Sequence, residues 1–142
     1  MNNKKKVMII LGIIIVLVAV AVSLLLYSRY DNRTREVGDE LGLTREKITG
    51  AYIRNGNNGE STELKQNEID SIYNALINVS IKPRKAERRA GWGYEVVFER
   101  GDELSGVLVE GPMTYKINER TYDVGEKEGC KVFEEIQKIV KK

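Results

Sequence analysis

The stretch YEVVFERGDELSGVLVEGPMTYKINERTYDV, Tyr94 to Val124, decides the kind of fold this chain makes. Tyr94, Val96 and Phe98 alternate with Glu95, Val97 and Glu99, the two-residue period of a strand with one buried face. Arg100-Gly101-Asp102 supplies a turn. Arg-Gly-Asp is also a cell-adhesion tripeptide, but a Gly-centred turn explains it and three residues carry almost no information. Leu104 to Glu110 reads as the next strand, and Val107, Leu108 and Val109 predict a central position buried on both faces. Gly111-Pro112 ends that strand. Met113 to Ile117 and Thr121 to Val124 then form a hairpin across Asn118-Glu119-Arg120, with Tyr115 near Tyr122.

On both sides of these strands lie helical patterns. In Asn67 to Val79 the residues Ile69, Ile72, Tyr73, Leu76 and Ile77 recur at three- and four-residue spacing, which makes one apolar face. Asn67 is the expected cap, and Glu68 and Asp70 suit the positive end of the helix dipole. Glu126 to Lys142 repeats the pattern with Val132, Phe133, Ile136, Ile139 and Val140, acids at its start and lysines at its end. Cys130 sits near the start of this helix, where a redox or nucleophilic role would need a partner base or second thiol, and none accompanies it. A half-buried structural cysteine is the reading adopted.

Further upstream, Glu46 to Arg54 is the expected first strand, carrying Ile48, Tyr52 and Ile53. It runs into Asn55-Gly56-Asn57-Asn58-Gly59, a dense turn signal, and Ser61 to Lys65 completes a hairpin. The loop lacks the Gly-Lys-Ser pattern of a phosphate-binding loop and the carboxylate spacing of a calcium loop. Hairpins with two amphipathic helices predict an α+β domain of two layers, an antiparallel sheet with both helices on one face. Hairpin connections argue against a doubly wound parallel sheet.

At the N-terminus VMIILGIIIVLVAVAVSLLL, Val7 to Leu26, carries no charge and no Pro. Twenty helical residues span about 30 Å, the thickness of a bilayer's hydrocarbon core. The expected organisation is a basic tail at 1–6, a transmembrane signal anchor at 7–27, a juxtamembrane linker at 28–45 and an extracytoplasmic domain at 46–142. Cleavage after Ala19-Val20-Ala21 is the competing reading, but it would leave Val22 to Leu26 as an apolar N-terminus. A lipid-anchored form would need a Cys just after the apolar run, and Cys130 lies far from it. The short tail with Lys4, Lys5 and Lys6 favours a cytoplasmic N-terminus and a domain outside the cell, with Tyr27 and Tyr30 at the far interface.

Composition narrows the chemistry. The formal charge of +2 belongs to the tail, since without its three lysines 20 Lys and Arg face 21 Asp and Glu. Such a balance gives no global attraction to nucleic acid. The chain has no histidine, which removes the commonest general base and metal ligand, and its one cysteine permits no intrachain disulfide. No cofactor and no metal site is expected. Within Ser80 to Arg89, Lys82, Arg84, Lys85, Arg88 and Arg89 surround Pro83, which favours an edge strand or loop, and Trp92 follows. These six are the candidate site for an anion or polymer: lipid headgroups, a phosphate-rich wall polymer or, locally, nucleic acid, with Trp92 as a stacking or sugar-binding face. The plainer reading is a solvated edge strand followed by a core Trp.

The layout resembles the small single-pass envelope proteins of Gram-positive bacteria. The resemblance is carried by KKKVMIILGIIIVLVAVAV, by NEIDSIYNAL and by TYKINERTYDV before a terminal helix. It implies no activity and no functional residues. The expected function is a membrane-tethered interaction or binding module without catalysis, whose partners are the membrane and an envelope protein or anionic polymer. Two alternatives remain. One is an enzyme acting on cell-wall glycans through carboxylates such as Glu95 with Glu99 or Glu103 with Glu110, near Trp92. The other is a solute-sensing domain.

Overall fold

The computed structural model describes residues 2–84 and 93–141 and divides into two units, Met1–Arg33 and Thr34–Lys142. The first is α1, Asn3–Asp31, a single helix of 29 residues that buries none of them. It is apolar on every side, so no stripe marks a core-facing edge. It is long and apolar enough to cross a membrane. Ser23 Oγ donates to the Ala19 carbonyl at 2.8 Å, which satisfies the one polar side chain inside the run.

The second unit is α+β, as the strand and helix patterns predict. Its described residues hold eight strands, β1 Arg35–Glu36, β2 Gly50–Asn55, β3 Ser61–Glu63, β4 Ser80–Pro83, β5 Tyr94–Arg100, β6 Glu103–Gly111, β7 Thr114–Ile117 and β8 Arg120–Val124. They form one antiparallel sheet in the order β1-β4-β8-β7-β6-β5-β2-β3. Helices α2 Val37–Leu41, α3 Gln66–Leu76 and α4 Glu126–Val140 complete it. Ile69, Ile72 and Leu76 of α3, Val132, Ile136 and Ile139 of α4, and Val37 and Leu41 of α2 all enter one core. Against them lie Ile53, Val96, Phe98, Val107, Val109, Tyr115 and Tyr122 of the sheet. The alternate residues Arg54, Glu95, Leu108 and Lys116 line up across β2, β5, β6 and β7 on the opposite face.

Several local expectations change. Residues 28–45, expected to be a linker, divide between the two units. The helix runs on to Asp31, and Arg35 already pairs with Ile81 as the start of β1. Val37, Leu41 and Leu43 are core residues, and Gly42 ends α2 in the left-handed conformation at φ +62°. The first long strand starts at Gly50 rather than Glu46, because Arg45–Lys47 forms a 3-10 turn. In α3 the cap is Lys65 and not Asn67, and its N–H donates to Glu68 Oε2 at 2.8 Å. Strand β6 is not buried on both faces. Val107 and Val109 are fully buried, whereas Leu108 is half-buried and Leu104 is 62% exposed.

Pro83 lies inside the sheet, yet its lack of an N–H costs nothing there. Strand β1 reaches only Ser80 and Ile81 of β4, so on that side Pro83 has no neighbouring strand. One close approach sets how α4 meets the sheet. A Cβ at Gly129 would stand 1.5 Å from the Pro112 carbonyl oxygen, so only glycine lets the helix seat on that turn.

Candidate functional site

Of the six residues singled out for anion or polymer binding, two lie among the described residues. Lys82 is exposed on β4, directly across from Asp123 on β8. Arg84 follows the strand, and its guanidinium is engaged rather than free. Nε donates to Asp123 Oδ1 at 2.7 Å, the Nη2 group pairs with the same carboxylate, and Nη2 reaches Thr114 Oγ1 at 3.4 Å. Lys85, Arg88, Arg89 and Trp92 lie outside the described residues. Within what is described, then, the basic run contributes one exposed lysine and one arginine already neutralised.

The carboxylates named for glycan chemistry are spread along their strands. Four residues of strand cover about 13 Å and seven about 23 Å, against the roughly 5–9.5 Å between the two acids of a glycosidase. Glu95 pairs with Arg54 at 3.2 Å and Glu103 with Arg100 at 3.6 Å. Burial raises the Glu110 carboxyl above its ordinary range, while Lys116 and Arg84 pull it back. Among the described residues no three His, Cys, Asp or Glu side chains converge as ligands for a metal.

The polar centre that stands out was not among the candidates. Tyr122 is fully buried, and its hydroxyl donates to Glu40 Oε1 at 2.7 Å. The other oxygen of Glu40 takes Nη1 of Arg35 at 3.1 Å, with Arg35 12% and Glu40 21% exposed. Burial first, then the hydrogen bond to Glu40, pushes the Tyr122 hydroxyl up to about 12. Two backbone bonds act beside this pair: Val37 N–H to the Val79 carbonyl and Gly38 N–H to the Ile77 carbonyl, both at 3.0 Å. A Cβ at Gly38 would fall 2.9 Å from that same Ile77 carbonyl, so the strap lies directly on the chain after α3. Residues 35–43 are therefore stitched into the folded unit by an ion pair, a buried hydrogen bond and the core packing of Val37 and Leu41. The signal in the sequence was the four-residue spacing of Val37 and Leu41 followed by Gly42, a helix turn with its stop.

Between α1 and β1 only Asn32, Arg33 and Thr34 remain. Three residues span at most about 11 Å even when fully extended. On the helix side of the joint Arg33 stacks on the Tyr30 ring at 4.2 Å, and its Nη2 reaches the Tyr30 hydroxyl at 3.4 Å.

One concavity lies elsewhere, a groove of about 600 Å³ between α3 and α4, lined by Ser71, Asn74, Asn78, Glu128, Lys131 and Glu134 among others. Beside it, at the surface, Ser71 Oγ and Lys138 Nζ each donate to Glu135 at 2.8 Å. These two bonds, Lys138 first, hold the Glu135 carboxyl below the usual range. Cys130 is half-buried on α4. Comparison of the chain with protein families, with curated proteins and with solved structures finds no match in any of the three.

Proposed function

We propose that this chain is a single-pass membrane protein whose folded unit is a binding module without catalysis, held close to the membrane surface outside the cell. The observation that carries the reading is the joint. A 29-residue apolar helix with no buried residue passes, over three residues, into a unit that has its own core. In water such a helix would expose its apolar side chains all round, and lipid is the solvent that makes this favourable. Only Asn32, Arg33 and Thr34 separate the apolar helix from the first strand of the folded unit, and this short connection supports a module that works near the membrane. Its partner is then a component of the membrane or of its immediate surface. Lys4 to Lys6 at the start of the helix, ahead of its apolar run, support a cytoplasmic N-terminus.

Two measurements test this. A tag after Lys142 on intact cells should be digested by added protease, and its protection would overturn the outside placement. Cross-linking of the intact chain in its own membranes should trap a membrane-surface component on the folded unit. If lengthening the joint with a flexible insert left the trapped partner and its yield unchanged, closeness to the membrane would not be what selects it.

A second reading has one observation in its favour. The groove between α3 and α4 offers the amides of Asn74 and Asn78 opposite Glu128, Lys131 and Glu134, a lining suited to a small polar solute. A solute-sensing module would be stabilised by its ligand, so a melting-temperature screen of polar metabolites with the intact chain separates the two readings.

A further inference from the structure

The loop between β2 and β3 contains two Asn-Gly steps, Asn55-Gly56 and Asn58-Gly59. Asparagine followed by glycine is chemically labile, because glycine has no side chain to keep its nitrogen from the asparagine amide carbon. The two steps have the same local sequence chemistry and different surroundings.

Gly56 is held by the sheet. Its N–H donates to the Gly93 carbonyl at 2.8 Å, and a Cβ there would lie 2.6 Å from that same oxygen. Asn55 is the last residue of β2, paired with Tyr94, and its Oδ1 accepts from the Asn57 N–H at 2.9 Å. Freeing this nitrogen requires the end of β2 to part from the chain entering β5. Gly59 is held by one bond at the mouth of the loop, beyond the Arg54–Ser61 end of the β2–β3 ladder. Its N–H donates to the Asn55 carbonyl at 2.8 Å, its φ is +73°, and no atom lies within 4 Å of where a Cβ would be. Asn58 is exposed, and both ends of its amide meet Glu60. Oδ1 accepts from the Glu60 N–H at 3.0 Å, the same bond to the N–H two residues on that Asn55 makes, and Nδ2 donates to Glu60 Oε2 at 3.0 Å. Opening the Asn58-Gly59 step breaks a loop bond and leaves the ladder intact, so it is the cheaper fluctuation.

We infer that Asn58 is a site of spontaneous covalent self-modification on the native protein, and that the fold shields Asn55 from the same reaction. The deprotonated nitrogen of Gly59 attacks Cγ of Asn58. A bond forms between that nitrogen and Cγ, the Cγ–Nδ2 bond breaks, and Nδ2 leaves as ammonia after taking up a proton. Water then adds to the cyclic imide and opens one of its two carbonyl–nitrogen bonds, giving aspartate or isoaspartate. Either product replaces the Nδ2–Glu60 hydrogen bond with two carboxylates side by side. The isoaspartyl form also lengthens the backbone of a loop whose span sets the pairing of Arg54 with Ser61. Strand β3, at the edge of the sheet and three residues long, is the element that loosens.

The test is a time course on the intact chain in nanodiscs at neutral and mildly alkaline pH, with peptide mass spectrometry locating each amide-to-acid conversion. The expected result is conversion at Asn58, faster at higher pH, with Asn55 slower by about tenfold or more. In denaturant the two steps should convert at similar rates, which assigns the native difference to the fold. Asn58→Gln should abolish the fast conversion. Native rates that are equal, a faster rate at Asn55, or no native conversion at either site while both react in denaturant would each overturn the inference.

Discussion

Helices α1 and α4 are both rich in Ile and Val and distribute those residues in opposite ways. In α4 the apolar residues fall on one stripe, so that Val132 and Ile136 are fully buried while Lys131, Glu134 and Lys138 on the other side are exposed. In α1 they fall on all sides, and Val7, Leu17 and Leu25 stand 63–65% exposed. The difference lies in angular distribution rather than hydrophobicity. A striped helix can hide its apolar surface against one partner, whereas a uniformly apolar one needs a solvent that is itself apolar. The chain thus contains α4, striped for a protein core as α3 is, and α1, long and apolar enough to cross a membrane.

That contrast can be broken at several points. Ile136→Ala should cost about 2–5 kcal/mol, read as a lower urea midpoint of the folded unit within the intact chain, because it leaves a cavity among fully buried neighbours. The same truncation at Ile14, 51% exposed on α1, should leave that midpoint unchanged. An equal shift would mean that α1 packs as a core helix. Next in size, Val16→Arg places a charge in the middle of the apolar run. It should cost about 2.5–3.5 kcal/mol of insertion and move the chain out of the carbonate-resistant membrane fraction, with the urea midpoint of the folded unit intact.

The buried tyrosines sharpen the comparison within the core. Tyr115 and Tyr122 face each other on β7 and β8, and both are fully buried. The Tyr122 hydroxyl has Glu40, and that of Tyr115 has no hydrogen-bond partner among the described residues. Tyr122→Phe should destabilise by about 1–3 kcal/mol, since it removes a hydrogen bond to a partly buried carboxylate that keeps only its Arg35 ion pair, whereas Tyr115→Phe should be neutral or slightly stabilising. The pH dependence follows from the raised Tyr122 hydroxyl. Its contribution is fully present below the ordinary tyrosine value near 10 and is lost as pH climbs towards about 12. Tyr122→Phe should therefore flatten part of the alkaline unfolding profile. The smallest effect belongs to the surface. Glu135→Gln should cost a few tenths of a kcal/mol, present above the ordinary glutamate range and vanishing as pH falls through the lowered value of Glu135, because its ties to Lys138 and Ser71 lie at the surface.

How much of this was legible in the sequence follows sequence separation. The hairpins β5–β6 and β7–β8 and the stripes of α3 and α4 were readable because each depends on neighbours a few residues away. Residues 35–43 were misread for the opposite reason. A strand of two residues and a helix of five carry almost no periodicity, and they hold their shape through Ile77, Val79, Ile81 and Tyr122. The polar, mixed-charge composition with Gly38 and Gly42 suggested a linker, and packing made it a strap. The basic run was visible as composition. That Arg84 is already paired with Asp123, 39 residues away, was not.

By itself the sequence determined the apolar run, the alternation of the strands, the helical stripes and the poverty in catalytic residue types. All of these are local or additive, set by side-chain period and transfer from water. Only the tertiary structure decided that β4 lies between β1 and β8, that Glu40 closes over Tyr122, and that three residues alone remain between the apolar helix and the sheet. Those depend on which distant surfaces fit together, and complementarity of that kind leaves no periodic trace along the chain.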